Sequence, residues 1–261
     1  MTQKIITKLL RNALFTFILL LYISNSFVQA KEYIIGVEDV SYYPIYNFSL
    51  KSLNQASFTK ELLSTFFHLK NYQFKFVALP VKRFDKWYVE EAIDFKFPDS
   101  IRWRGEESKK LNITYSKPVL HLTAGSFVLK KDQNKTAENI KRLGIIFGFY
   151  PTLWNDRVRV NTLDIVEASS PYSLVKHLLH GNVDAIYIDK NVIAYNLKRL
   201  HQDDDTIVLN QNIKHERYAF HFSSVSHPEI IQEFDEFLLS HQSLVAKMKK
   251  KYGIIETLDT F

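Results

Sequence analysis

The chain has 261 residues, carries a formal net charge of +6 and contains no cysteine. The missing cysteines exclude a disulfide framework and a lipid-modified N-terminal cysteine, so a hydrophobic core must stabilise the fold. A chain of this length can bury such a core in one or two domains.

Residues 1–30 have the pattern of a secretory signal peptide. Three basic residues precede the apolar run "ALFTFILLLYI", and the segment ends in "FVQA". We predict cleavage after Ala30 and a soluble periplasmic protein that begins at Lys31, without a lipid anchor. The alternative is an uncleaved membrane anchor, although the run is shorter than the roughly 20 apolar residues that a span needs.

The charge of the chain depends on this segment. Because residues 1–30 hold three basic and no acidic residues, their removal lowers the formal charge from +6 to +3. The remaining basic run is "KMKKKYG" near the C-terminus, where lysines suit the dipole of a terminal helix. A solvated helix face explains that run, so nucleic-acid binding is not predicted.

Short runs rich in Ile, Val, Phe and Tyr recur along the chain and predict β-strands. In chain order they are "EYIIGV", "QFKFVAL", "AIDFKF", "GSFVLK", "RLGIIFG", "DAIYI" and "YAFHFS".

Three segments between these strands have helical spacing. "SFTKELLSTFFHL" predicts a helix capped by Ser57, with Phe58, Leu62, Phe66 and Leu69 on one apolar stripe. "SPYSLVKHLLHG" predicts a helix that ends at a C-terminal glycine. "HPEIIQEFDEFLLSHQSLVAKMKKKYG" predicts two helices that are broken near residues 240–242 and again closed by a glycine.

Strands that alternate with helices predict an α/β fold with largely parallel pairing. The segments "TAGSFVLKKDQNKT" and "NQNIKHERYAFHFS" each interrupt this alternation once. We interpret them as two crossings into and out of an inserted domain. Such an arrangement leaves a cleft that can close around a small molecule.

The order of several short motifs resembles family 3 of the periplasmic solute-binding proteins, best known for polar amino acids. The likeness runs through "YIIGVEDVSYYPIY", "FTKELL", "LPVKRF", "IDFKFP", "ITYSKPV", "GNVDAIYIDKNV" and "KKKYGI". These motifs span nearly all of the chain beyond the predicted signal peptide.

This resemblance implies a two-lobed type II binding-protein fold, α/β, in which each lobe is a mixed, mostly parallel sheet flanked by helices. The first lobe would comprise residues 31–126 and 218–261, and the second residues 127–217, with two hinge crossings. It further implies a monomeric receptor that binds a small polar ligand, amino-acid-like or acidic, and delivers it to an inner-membrane ABC permease. No cofactor is implied.

Tyr42 and Tyr43 precede a proline after the first strand. In the family that the chain resembles, an aromatic residue here stacks on the ligand, and a ring tolerates a nearby cation. The alternative is that one ring packs beneath the loop.

Asp189 directly follows the strand "AIYI". Open α/β sheets place ligands at the carboxyl ends of their strands, and in the amino-acid binders the acidic residue here pairs with the ligand's ammonium group. Asp189 is otherwise the N-cap of the next helix or a plain loop charge.

The expected carboxylate grip is altered in this chain. Relatives hold a carboxylate with a glycine followed by Thr or Ser, but here Gly148 is followed by Phe149 and Tyr150. The position of the usual clamping arginine holds Lys109, which is a point charge and cannot form a bidentate pair. Lys109 is alternatively part of a charged surface turn.

Other candidates for binding an anion lie nearby. Arg102, Trp103 or Arg104, in the replaced loop "PDSIRWRG", would approach the ligand from another angle. Arg83 either anchors an anion or pairs with Asp85 or Glu90. A standard α-amino acid is therefore a doubtful ligand.

Two other functions remain open on the same scaffold. One is an enzyme, as in dehydratase-like or cell-wall-related members, with Glu38 or Asp39 supplying an acid or base. The other is a ligand-sensing module for a membrane partner. No catalytic residue and no metal site is predicted: His177 and His180 share a helix face without a third ligand near in sequence, and nucleophile motifs are missing.

Overall fold

The computed structural model describes residues 31–50, 55–90, 92–106 and 108–256. The predicted signal peptide lies outside the described residues. The strands are β1 (Glu32–Glu38), β2 (Ser41–Tyr42), β3 (Tyr46–Asn47), β4 (Gln73–Leu79), β5 (Phe95–Asp99), β6 (Thr114–Tyr115), β7 (Leu120–Ala124), β8 (Ser126–Leu129), β9 (Arg142–Ile146), β10 (Asp164–Ala168), β11 (Ala185–Tyr187), β12 (Ile207–Leu209) and β13 (Glu216–Ser224).

Seven α-helices lie in the described part of the chain. They are α1 (Phe58–Leu69), α2 (Trp87–Glu90), α3 (Asn155–Arg159), α4 (Pro171–Leu179), α5 (Lys190–Arg199), α6 (Pro228–Ser240) and α7 (Gln242–Lys251). None of these is long and apolar enough to cross a membrane.

The strands form two main sheets within one compact unit that begins at Glu32. The first sheet has the order β4-β1-β5-β13-β6, with β7 also paired to β13. In it β1 runs parallel to β4 and β5, and β13 runs antiparallel to β5, β6 and β7. The second sheet has the order β10-β9-β11-β8-β12. Here β9 runs parallel to β10 and β11, and β8 runs antiparallel to β11 and β12.

The chain passes between the sheets twice. It leaves the first sheet at β7, enters the second at β8, and returns from β12 to β13. The prediction of a two-lobed α/β fold with a mixed sheet in each lobe is thereby confirmed. The expected predominance of parallel pairing is not found among the described strands, because β13 and β8 make only antiparallel pairs with their neighbours. The lobe boundaries at residues 126/127 and 217/218 stay a prediction.

Helix α1 shows how the local sequence produces this packing. Its buried face includes Phe58, Leu62 and Phe66, as the apolar spacing predicts. Leu69 is instead exposed, because it is the last helical residue and its side chain is past the core. Ser57 occupies the N-cap position, but its hydroxyl accepts the backbone N–H of Asn47 at 3.0 Å rather than capping the helix.

The glycine-closed helices are also confirmed. Gly181 and Gly253 follow α4 and α7 with φ values of 71° and 64°, the left-handed region that glycine adopts without strain. The break within the last helical segment falls at His241, between α6 and α7.

Candidate functional site

A cavity of about 490 Å³ lies between the two sheets, a size typical of small-molecule sites. Its walls combine many aromatic rings with six charged residues. The rings are Tyr42, Tyr46, Phe84, Trp103, Phe149, Tyr150, Tyr187, Tyr218 and Phe220. The charged residues are Glu38, Lys82, Asp85, Arg102, Arg104 and Asp189.

Asp189 lines this cavity where β11 gives way to α5. It has extended backbone angles and caps α5: its Oδ1 accepts the backbone N–H of Asn191 at 2.8 Å and the side-chain amide of Asn191 at 2.9 Å. The other carboxylate oxygen, Oδ2, is buried and has no hydrogen-bond partner among the described residues. The capping role is therefore present, and it leaves one acceptor oxygen for a ligand.

The burial of Asp189 also affects its titration. Desolvation disfavours the charged form and raises the pKa of this carboxyl to about 6, although the hydrogen bonds from Asn191 and the charge of Lys190 oppose the shift. At neutral pH the group is therefore mostly ionised. Burying this charge costs free energy, which a cationic partner would offset.

Tyr42 joins the two lobes beside this carboxylate. Its buried hydroxyl accepts the backbone N–H of Asp189 at 2.8 Å. Its ring stacks on Tyr46 with centroids 5.0 Å apart and lies 5.6 Å from the ring of Phe149. Tyr42 thus helps to position Asp189 and forms part of the cavity wall.

Glu38 ends β1 on the first-lobe side of the cavity. The hydroxyl of Tyr46 donates a hydrogen bond to its carboxylate. Burial raises the pKa of Glu38 to about 7, while the Tyr46 hydrogen bond and the charge of Lys96 act in the opposite direction. This side chain is therefore close to half protonated at neutral pH.

Behind the cavity wall, one buried carboxylate holds two cations. Nη2 of Arg104 lies 3.2 Å and Nζ of Lys96 lies 3.7 Å from Oδ2 of Asp99. The hydroxyl of Ser223 donates to the same oxygen at 2.6 Å. Asp99 therefore fixes the guanidinium of Arg104 at the cavity edge and neutralises part of its charge.

Two further cations connect the lobes. Arg102 donates to the carboxylate of Glu216 and the hydroxyl of Thr152, and its guanidinium lies 4.9 Å from the ring centroid of Tyr218. Nζ of Lys82 lies 3.5 Å from Oε1 of Glu167. Each of the three cations that line the described cavity thus has a carboxylate partner.

Gly148 and Phe149 follow β9, where an anion site was expected. The φ of Gly148 is 86°, and an added Cβ would lie 3.1 Å from a side-chain carbon of Lys82. The backbone N–H of Gly148 donates to Glu167 at 3.3 Å, and that of Phe149 donates to Ile146 at 2.9 Å. Both donors are therefore used within the protein.

No family model matches the chain, and no curated protein matches its sequence. Many solved structures share its fold. One is the arginine-, lysine-, histidine-binding protein ArtJ from Geobacillus stearothermophilus, with 16% identity and a TM-score of 0.63, covering 87% of this chain and 96% of that one. A histidine kinase sensor domain with similarity to periplasmic binding proteins has 13% identity and a TM-score of 0.66, covering 87% and 99%.

A third similar structure is the ancestral amino-acid-binding protein AncCDT-1, a precursor of cyclohexadienyl dehydratase. It has 16% identity and a TM-score of 0.61, and the match covers 85% of this chain and 95% of that one. The fold is that of a two-lobed periplasmic binding protein. In this fold the cavity described above lies between the lobes.

The periplasmic binding-protein fold brings six of the nine predicted site residues together. Those that line the cavity are Tyr42, Trp103, Arg104, Gly148, Phe149 and Asp189. The other three lie elsewhere: Tyr43 packs on Tyr195 with centroids 4.3 Å apart, Arg83 pairs with Glu90 at 2.7 Å, and Lys109 pairs with Glu106 at 2.6 Å.

Several lining residues were not among the predicted set. Tyr218 and Phe220 alternate along β13, and a period of two would have placed them on one face. Tyr187 is the last residue of β11, two residues before Asp189. Its position at the end of a strand could have predicted that it lines the cavity. Tyr46, Phe84 and Asp85 reach the cavity through tertiary packing that no local pattern specifies.

Proposed function

We propose that the chain is a periplasmic solute-binding receptor that closes its lobes around a small polar ligand and delivers it to an ABC importer. The observation that carries this proposal is the buried Asp189 carboxylate, which has one unpartnered oxygen and lines an interlobe cavity of about 490 Å³. The solved structures of amino-acid-binding proteins with the same fold support it.

In this proposal the lobes comprise residues 31–126 with 218–261 and residues 127–217. Cleavage of the signal peptide after Ala30 would release a monomeric receptor into the periplasm. The names of periplasmic neighbours support that location.

Closure in this proposal is a shift between open and closed populations. Contacts between the proposed lobes, such as those of Tyr42 with Asp189 and Lys82 with Glu167, form together in the closed arrangement. A ligand that touches both lobes adds interactions that exist only when the cleft is shut, so it favours that state. The importer would then recognise the closed form.

The first test is thermal unfolding of the purified protein against amino acids, short peptides, organic acids and amines. A ligand present at 100 times its Kd should stabilise the protein by about 2.7 kcal/mol, which for this size corresponds to a rise in Tm of roughly 5–11 °C. A panel in which no compound changes Tm would contradict the receptor proposal.

Tyr42→Phe tests the contact between the lobes. When the lobes of this variant close, the backbone N–H of Asp189 is buried without an acceptor, which costs about 1–2 kcal/mol. The affinity for a ligand identified by thermal unfolding should therefore fall roughly 5- to 30-fold. Isothermal titration calorimetry measures this loss. The matched control is Tyr72→Phe, which removes a hydroxyl 3.2 Å from Glu233 outside the cavity and should leave affinity unchanged.

Two observations favour other functions. The similar sensor domain favours a module that reports its ligand to a membrane kinase. The neighbouring gene distinguishes transport from sensing: a permease gene indicates transport, and a kinase gene indicates sensing.

The second observation favours an enzyme. Glu38 has a pKa of about 7 inside the cavity, which suits acid–base chemistry. Turnover of a bound compound by the purified protein, lost in Glu38→Gln, would favour an enzyme.

A further inference from the structure

A second, smaller cavity of about 290 Å³ lies outside the interlobe cavity and shares no lining residue with it. Its wall is formed by the turn after β2, the first turn of α4 and the second half of α5. Three half-buried tyrosines line it: Tyr43, Tyr172 and Tyr195. The volume is near the lower end for small-molecule sites, so the cavity can hold a compound with a single ring.

Arg199 is the cation in this wall, and it has no ion pair or hydrogen bond with any other residue that the structure describes. Its guanidinium carbon lies over the ring of Tyr172, 4.7 Å from the centroid, and 5.6 Å from the ring centroid of Tyr195. Arg102 and Arg104, by contrast, each pair with a carboxylate. Because the rings contact the faces of the Arg199 guanidinium, its in-plane N–H donors stay available to an acceptor.

The charge around this cavity is positive. Its described lining contains no acidic residue. Lys176 adds a second cation, with its Nζ 5.9 Å from the ring centroid of Tyr172. The first turn of α4, where the helix dipole is positive, forms part of the wall. A negative group in the cavity is therefore attracted by Arg199, and no carboxylate of the described wall opposes it.

A buried amide offers a second polar contact. Asn196 lines the cavity and is only 2% exposed. Its Nδ2 donates to the backbone oxygen of Val192 at 2.7 Å, whereas its Oδ1 accepts no hydrogen bond from the described residues. Asn196 and Arg199 are three residues apart on α5, so they are neighbours on one helix face. The free acceptor suits a hydroxyl group on a compound that binds Arg199.

We propose that this cavity is a second binding site, which takes a small aromatic carboxylate. The carboxylate group pairs with the guanidinium of Arg199 through two parallel hydrogen bonds, a geometry that the planar fork of arginine provides. The aromatic ring packs among the three tyrosines, where ring–ring contacts add to the burial of apolar surface. The proposal goes beyond the receptor function, because none of its residues lines the interlobe cavity.

The test compares probes that differ by one chemical feature. Benzoate and its 3-hydroxy and 4-hydroxy derivatives carry both the ring and the charge, benzamide lacks the charge, and acetate lacks the ring. Titration calorimetry with the purified protein should show binding of at least one of the three aromatic carboxylates. Benzamide and acetate should bind at least about 10-fold more weakly, because each loses either the charge-assisted hydrogen bonds or the ring contacts.

Two substitutions of Arg199 assign the binding to this cavity. Arg199→Gln removes the charge and should lower the affinity for the aromatic carboxylate at least about 10-fold. Arg199→Lys keeps a point charge without the planar fork and should give a smaller loss. The control is Arg159→Gln, which changes an exposed arginine at the end of α3 and should leave the affinity unchanged. The melting curve of each variant without ligand shows that it is folded.

Three results would overturn this proposal. Equal affinity of Arg199→Gln and the unmodified protein for the aromatic carboxylate would place the bound compound elsewhere. Equal binding of benzamide and benzoate would show that the site does not select an anion. The third is an absence of binding by all three aromatic carboxylates up to their solubility limits. The receptor proposal is judged separately, because a compound whose effect on Tm is the same in Arg199→Gln binds outside this second cavity.

Discussion

Asp99→Ala is expected to lower the free energy of unfolding by about 3–5 kcal/mol, because it leaves the buried Lys96 and the partly buried Arg104 without their carboxylate. Oδ2 of Asp99 lies 3.2 Å from Arg104 and 3.7 Å from Lys96, and the side chains of Lys96 and Asp99 are each only 1% exposed. Ser223 would also lose the acceptor of its hydroxyl. Chemical denaturation at neutral pH measures the change.

A surface pair provides the matched control for this substitution. Asp205→Ala removes a carboxylate from Lys130, but both side chains are more than half exposed. Exposed pairs contribute little, so the expected loss is below about 1 kcal/mol. If Asp99→Ala and Asp205→Ala lowered the free energy of unfolding equally, burial would not increase the contribution of the Asp99 ion pairs, and the prediction would be contradicted.

The stability of the ligand-free protein should respond to Glu38 in an unusual direction. The pKa of Glu38 is raised from 4.5 to about 7 in the folded state, mainly by burial. Between these values the folded state binds more protons than the unfolded state, so the Glu38 contribution to stability falls as pH rises through this window. At about 1.4 kcal/mol per pKa unit, the loss is on the order of 3 kcal/mol.

Glu38→Gln isolates this contribution, because glutamine cannot ionise and still offers an oxygen to the hydroxyl of Tyr46. The variant should gain stability relative to the unmodified protein as pH rises between 4.5 and about 7. Urea unfolding at several pH values measures the free energy of unfolding of both proteins. The contributions of the other titrating groups cancel when one value is subtracted from the other.

The matched control for the pH series is Glu138→Gln. Hydrogen bonding to Thr136 lowers the pKa of this exposed glutamate, so its contribution has the opposite sign and is lost as pH falls. A difference between Glu38→Gln and the unmodified protein that stays constant from acid to neutral pH would contradict the prediction.

Local patterns were sufficient to predict most of the fold. Some features depend only on residues that are close in sequence, so a single sequence is enough to predict them. These are the apolar stripe of α1, the glycines after α4 and α7, and the break at His241. Strands β10 and β12 were missed, and both lie at the edges of the second sheet. An edge strand is half solvated and has a weaker apolar pattern.

The site was predicted where it depends on one element and missed where it depends on several. Asp189 follows directly from a strand end and a helix start. Lys109 was placed by counting along the chain, but the intervening loop folds so that Arg104 reaches the cavity instead, while Lys109 pairs with Glu106 at the surface. The partner of Arg102, Glu216, is 114 residues away in sequence, and no local pattern indicates it.

The amide of Asn191 links the carboxylate of Asp189 to the end of the described chain. Its Nδ2 donates to Asp189 at 2.9 Å and to the backbone oxygen of Ile255 at 3.2 Å, and its Oδ1 accepts the N–H of Ile255 at 2.8 Å. Ile255 is 66% exposed, and the protein contains no cysteine. A single Ile255→Cys change would therefore accept one fluorescent label, and the labelled protein would become an optical sensor that reports occupancy from outside the cavity.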